Sequence, residues 1–176
     1  MKTWADAEFN SFQFELPDSA VNANLLLLQG LVGRPDPVLE RFFSLMAQFA
    51  AFRALDMYFL RKLALPYLIS RCFHDGRVDG LASAMEPLGA FVAACRRRDG
   101  GYGGDLDTAL ALVTLLNCGR DGGLVERGVD RLVARQAEDG GWRGEALFCD
   151  FAPSYYGARA FTTALAVEAL ARLSRG

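Results

Sequence analysis

One block occurs twice in this chain, and it confines the fold to helices paired across a glycine-rich turn. Phe91 to Gly104 and Arg131 to Gly144 align without a gap, and each ends in Asp-Gly-Gly-aromatic-x-Gly. The stretch before each turn reads as a helix. The glycines supply the positive φ that ends it and let the backbone pass close to a neighbouring element. The following halves also align, Thr108 to Leu116 against Thr163 to Leu170, with a longer connection, Glu145 to Arg159, in the second unit. A unit of helix, turn and helix that recurs predicts a stack of hairpins curved into a double layer.

The same grammar, more degenerate, continues upstream. Asp18 to Leu28 has a polar onset and an apolar continuation, which predicts a helix that ends near Gly30 to Gly33. Pro35 and Pro37 suit the start of the next, which should run to about Phe49. A further helix is expected from Leu55 to Phe73, bent at Pro66, with His74-Asp75-Gly76 as its terminating turn. Val78 to Arg97 then opens the first clear repeat, with Pro87 as a possible division. Asp105 or Asp107, and Thr162 or Thr163, are candidate N-caps of the two helices that follow the turns. In total about seven helices are expected, with no strand of any strength. The fold class is therefore all-α, with an N-terminal arm at 1–17 and a helical-repeat domain at 18–176.

Composition removes several classes of function. At 176 residues, 52% hydrophobic and 23% charged, the chain is long and apolar enough to bury a core. A net charge of −2 offers no broad basic face for nucleic acid. Arg96-Arg97-Arg98, followed at once by Asp99, reads as the solvated C-terminal end of a helix. Cys72, Cys95, Cys118 and Cys149 are widely spaced with no CxxC pair, and the start has no apolar leader, so reduced thiols in a cytoplasmic protein are expected. No stretch reaches the roughly 18 uninterrupted apolar residues of a membrane span. Thirteen phenylalanines admit two readings, a bulky core or an apolar cavity whose ring faces stabilise cations.

Arg127-Gly128-x-x-Arg131-Leu132-x-x-x-Gln136-x-x-x-Gly140-x-Trp142 resembles the QW repeat of squalene-hopene cyclases. Arg131 stands where that repeat prefers an aromatic residue, and the upstream copy has Arg96 in place of the glutamine. The resemblance implies an α/α toroid of the prenyltransferase and squalene-cyclase family. A complete ring there has roughly six hairpins, and this chain has about three or four. Half a ring implies a fragment, a variant with a collapsed centre, or one half of a homodimer. The initial Met and the polar end favour a complete small protein, hence a dimer or a missing partner half.

Asp105-Leu106-Asp107-Thr108, directly after Tyr102-Gly103-Gly104, resembles the DxDD or DxDTT signature of class II terpene cyclases. In that resemblance Asp107 is the general acid that protonates the substrate and Asp105 is its partner. The bland alternative is that one aspartate caps the helix while the other is solvated. Tyr102 and Trp142 are candidates to stabilise cationic intermediates or, as such aromatics usually do, to brace the repeat. Tyr155, Tyr156 and Arg159, in or beside the long connection, either line a cavity mouth and meet an anionic head group or pack over helix ends. No metal is implied, and Mg²⁺ would enter only with a diphosphate-bearing substrate. The single histidine, His74, has no spacing that matches a zinc site, and neither a Walker loop nor a DDxxD is present. Two functions follow as expectations: an isoprenoid-handling, class II cyclase-like enzyme, or a non-catalytic helical-repeat module binding a protein partner or an apolar ligand.

Overall fold

The computed structural model describes residues 18–52, 59–149 and 154–174. Seven α-helices lie among them: α1 Ser19–Leu31, α2 Pro37–Gln48, α3 Ala64–His74, α4 Ala82–Ala94, α5 Asp105–Asn117, α6 Glu126–Ala134 and α7 Arg159–Leu173. Local chemistry sets the first two starts. The Asp18 carboxylate accepts the N–H groups of Ala20 and Val21 at 2.9 and 3.0 Å. Asp36 does the same for Val38 at 2.8 Å, and Pro37 takes the first helical position, where no N–H is needed.

The helices pair as hairpins, α1 with α2, α3 with α4 and α5 with α6, leaving α7 as half of a fourth. The first members lie side by side in chain order, α1 on α3, α3 on α5 and α5 on α7, and form one layer. α2 packs on α4 in the other layer. The core runs along the first layer and is densest at α5, where eleven of thirteen residues are buried because other helices surround it. An all-α fold of stacked hairpins is thus what the chain adopts.

Several boundaries differ from expectation. α3 begins at Ala64, not near Leu55; residues 53–58 lie outside the described residues, and Phe59 to Leu63 form a bridge and a turn. Pro66 therefore falls in the first turn of α3, where its missing N–H costs no intrahelical bond and no bend is needed. Pro87 lies within α4 without dividing it; the irregularity comes earlier, as a 3-10 turn at Asp79–Leu81. The long connection after Trp142 also contains a two-stranded antiparallel ribbon, β1 Phe148–Cys149 and β2 Tyr155–Tyr156, although no strand was expected. Phe59 bridges to Phe148, and the Phe148 ring meets Phe59 at 4.9 Å and Phe161 at 6.1 Å edge-on. The ribbon is held by this aromatic contact rather than by strand length. The expected N-terminal arm, 1–17, lies outside the described residues. No helix among them is long and apolar enough to cross a membrane.

Candidate functional site at the turns and helix ends

The two Asp-Gly-Gly-aromatic turns have one architecture. Gly100 and Gly140 adopt φ of +84° and +82°, the left-handed conformation that the sequence requires of them. The first aspartate accepts the N–H two residues on, Asp99 from Gly101 and Asp139 from Gly141, both at 3.1 Å. Each aromatic N–H donates to the threonine that opens the next helix, Tyr102 to Thr108 Oγ1 at 3.2 Å and Trp142 to Thr163 Oγ1 at 3.1 Å. Each turn is then latched by an arginine from a later helix: Arg131 of α6 on Asp99 at 2.7 Å, and Arg159 of α7 on Asp139. With the Gly141 N–H, Arg159 holds the Asp139 carboxyl down at about 2. The aromatic side chains are both buried. Tyr102 donates its hydroxyl to Leu124 O at 3.0 Å, and Trp142 its indole N–H to Leu132 O at 2.8 Å. Both aromatics brace the helices that flank them, with their polar atoms spent on backbone carbonyls.

The aspartate pair lies where the first turn enters α5. Gly104 is the N-cap, and Asp107, three residues on, accepts the Gly104 N–H at 3.4 Å, so it works as the returning half of a cap rather than as the cap itself. Its Oδ2 is also taken by Arg61 at 2.9 Å. Arg61 further reaches Glu145 Oε2 at 3.2 Å and donates to Ala146 O at 2.7 Å. Asp105 is 1% exposed and paired with Arg135, while its own N–H donates to Glu145 Oε1 at 2.7 Å. The two aspartates are therefore brought together with Glu145 in one cluster, which Arg61 and Arg135 tie to α6 and to the ribbon connection. Thr162 and Thr163 are not caps: Ala158 takes that position, and the two hydroxyls accept Glu145 and Trp142 N–H groups from the connection.

Tyr155 and Tyr156 are exposed on β2, whereas Tyr102 and Trp142 are buried. Arg159, besides Asp139, donates to Trp142 O at 3.2 Å. Of the proposed binding residues, two are thus exposed, two are buried braces, and Arg159 is engaged with the second turn.

A second polar assembly, which sequence reading missed, joins the far ends of three helices. Arg172 of α7 donates to both oxygens of Asp75, at 2.7 and 3.0 Å, to Glu168 at 2.8 Å and to Asn117 Oδ1 at 3.0 Å. Tyr67 donates to Glu168 at 2.8 Å, and Asn117 to Ser70 at 3.1 Å. Burial pushes the Asp75 carboxyl up, but hydrogen bonds from Arg172, His74 and Arg71 outweigh it and hold the group well below the usual carboxylate range. His74, Asp75, Asn117, Glu168 and Arg172 border a cleft of about 550 Å³. Its partners are 97 residues apart in sequence (Asp75 and Arg172), so only the pairing of α7 with Asn117's helix in the repeat could have hinted at it. Among the described residues no group of three His, Cys, Asp or Glu side chains is placed to hold a metal ion.

Comparison of the chain with models of known protein families and with curated proteins finds no match.

Proposed function

We propose that this chain is a non-catalytic helical-repeat module that binds a partner protein by accepting an amphipathic helix against α7. The observation that carries the reading is a comparison of α7 with its own repeat counterpart. Thr108 and Thr163 accept equivalent N–H groups, which sets α5 and α7 in register. In that register Ala111 and Ala166 are both fully buried, as are Thr114 and Ala169. The other face differs. Leu106 and Leu112 are 0% exposed in α5, whereas their counterparts Phe161 and Val167 are 50% and 51% exposed. Ala109 is likewise buried and Ala164 exposed.

Among the described residues α5 has a hairpin partner, α6, on that face, whereas α7 has only the edge contact of Phe161 with Phe148. Leu112 lies against Gly128 of α6, so closely that a Cβ at Gly128 would come within 2.8 Å of a Leu112 methyl. α6 thus describes the occupant that suits α7: a short amphipathic helix with a small residue opposite the apolar side chain at the Val167 position. An unpartnered apolar helix face of this kind marks an interaction surface.

The protonation-initiated cyclisation that the family resemblance implies draws less support. Asp107 Oδ2 pairs with Arg61 and accepts the Gly104 N–H, and Asp105 Oδ1 pairs with Arg135, so each carboxyl already serves a structural ion pair. Tyr102 and Trp142 serve as braces, and the cleft beside Arg172 is bordered by the charged and polar side chains His74, Asp75, Asn117 and Glu168.

The test is a photo-reactive amino acid at position 167, with one at exposed Arg143 as control, followed by identification of the cross-linked chain. The expected product is a single polypeptide species joined through a helical segment at 167 and not at 143, and lost when Phe161→Glu is added. A link to a second copy of this chain would identify the partner as itself. Equal labelling at 167 and 143, or labelling indifferent to Phe161→Glu, would overturn the proposal.

A further inference from the structure

Arg127 and Arg131 of α6, and Arg135 at its C-cap, stand at successive helical turns, a column about 12 Å long at 1.5 Å per residue that borders the first repeat turn. The preceding repeat has no arginines at the equivalent positions. The aligned positions in α4 are Pro87, Phe91 and Cys95, and Phe91 packs on Phe52 at 4.6 Å. Arg98, from the turn that follows α4, joins the column, and together these residues border a cleft of about 470 Å³ with Asp99, Asp130 and Ala134.

Much of the donor capacity in this cleft is unspent. Arg131 uses one end of its guanidinium on Asp99 and the other on Gly103 O, but its Nε is buried without a partner. Arg135 uses Nε on Asp105, which leaves its two terminal nitrogens to the cleft. Arg98 and Arg127 make no side-chain hydrogen bond or ion pair among the described residues. Four arginines against two aspartates give the lining side chains a net charge of +2. That suits a small multiply charged oxyanion, and it is too little for a polyanion on a chain whose net charge is −2.

We propose that the α6 arginine column and Arg98 form a binding site for a phosphate or diphosphate ester, distinct from the helix-accepting face of α7. Guanidinium forks match phosphate oxygens in pairs, and three forks with free donors around one cleft can surround a diphosphate on several sides. The volume leaves room for the organic part of the ester beside Ala134.

The experiment titrates the protein with inorganic pyrophosphate by calorimetry, with chloride at matched ionic strength as control, alongside sedimentation with vesicles of phosphatidylcholine with and without phosphatidic acid. The diagnostic variant is the double substitution Arg98→Gln and Arg127→Gln. Both side chains are exposed and unpaired, so its melting temperature should equal that of the parent chain. Saturable pyrophosphate binding that weakens at least tenfold in the variant is the expected result, and it identifies a soluble ester. Binding only to vesicles that contain phosphatidic acid, lost in the same variant, assigns the chemistry to a lipid head group. Absence of both, or binding unchanged in the variant, overturns the proposal.

Discussion

Leu112 and Val167 occupy the same repeat position, so truncating each to alanine measures how far α7's surroundings differ from those of α5. Leu112 is fully buried on α5, packed against Gly128 of α6. A Leu→Ala change in such a site costs about 2–5 kcal/mol, and the enclosed position of α5 argues for the middle to upper part of that range, about 3–4 kcal/mol. Val167 is 51% exposed. Two methyl groups are removed, of which about half the area was never withdrawn from water, so the packing loss is about 0.5–1 kcal/mol. Alanine regains up to about 0.5 kcal/mol by its higher helix propensity, which brings the net change close to zero. Urea unfolding should give a Leu112→Ala midpoint far below that of the parent with an unchanged slope, and a Val167→Ala midpoint within error of the parent. Thermally, the first variant should melt roughly 10 °C lower for a chain of this size. Equal destabilisation by the two changes would refute the claim that α7's face is unpartnered in the isolated chain.

Other consequences are as definite. Gly100→Ala should destabilise more than Gly140→Ala, although both glycines have positive φ: a Cβ at 100 would meet Arg127 Cβ at 2.8 Å, while at 140 the nearest atom is Gln136 Nε2 at 3.9 Å. Equal loss of stability in the two would show that backbone strain alone sets the cost. The Asp75 carboxyl is held low in the folded chain, so its contribution is fully present above the unfolded value of about 4 and is lost as pH falls below it. Arg172→Gln should flatten the fall in urea midpoint between about pH 4 and 2, and an unaltered profile would remove Asp75 from the account. Burial pushes the Cys72 and Cys118 thiols up to about 12, so at pH 8 both should resist a disulfide reagent in the folded protein and react promptly in urea. Labelling of either at the unfolded rate would contradict their burial.

What the sequence made legible was local. The polar onset at Asp18 and the proline at 37 mark the starts of α1 and α2, where the structure adds the caps, Asp18 and Asp36. The glycines of the two repeat turns announce conformations that few other residues tolerate, and Gly100 and Gly140 adopt them. The failures lie where distant segments decide. β1 and β2 have two residues each, too short for any alternation to register, and depend on Phe59, which lies 89 residues before Phe148. Phe59 joins that aromatic contact and residues 62–63 form a turn, so α3 starts only at Ala64. At the candidate site, the spacing of Asp105 and Asp107 was plain, but their meaning depends on Arg135 and Arg61, 30 and 46 residues away. No pattern within the motif distinguishes an acid waiting for substrate from a carboxylate already paired.

The most direct test of the central claim is to supply the missing hairpin partner. A second copy of residues 119–137, which contain the 3-10 turn and α6, would be appended after Gly176 through a flexible linker. A control would carry the same segment with Gly128→Glu in the appended copy only. The account predicts a higher melting temperature and new hydrogen-exchange protection over Phe161 to Ala171 in the first fusion, and neither in the control. Identical melting and exchange in the two fusions would contradict it.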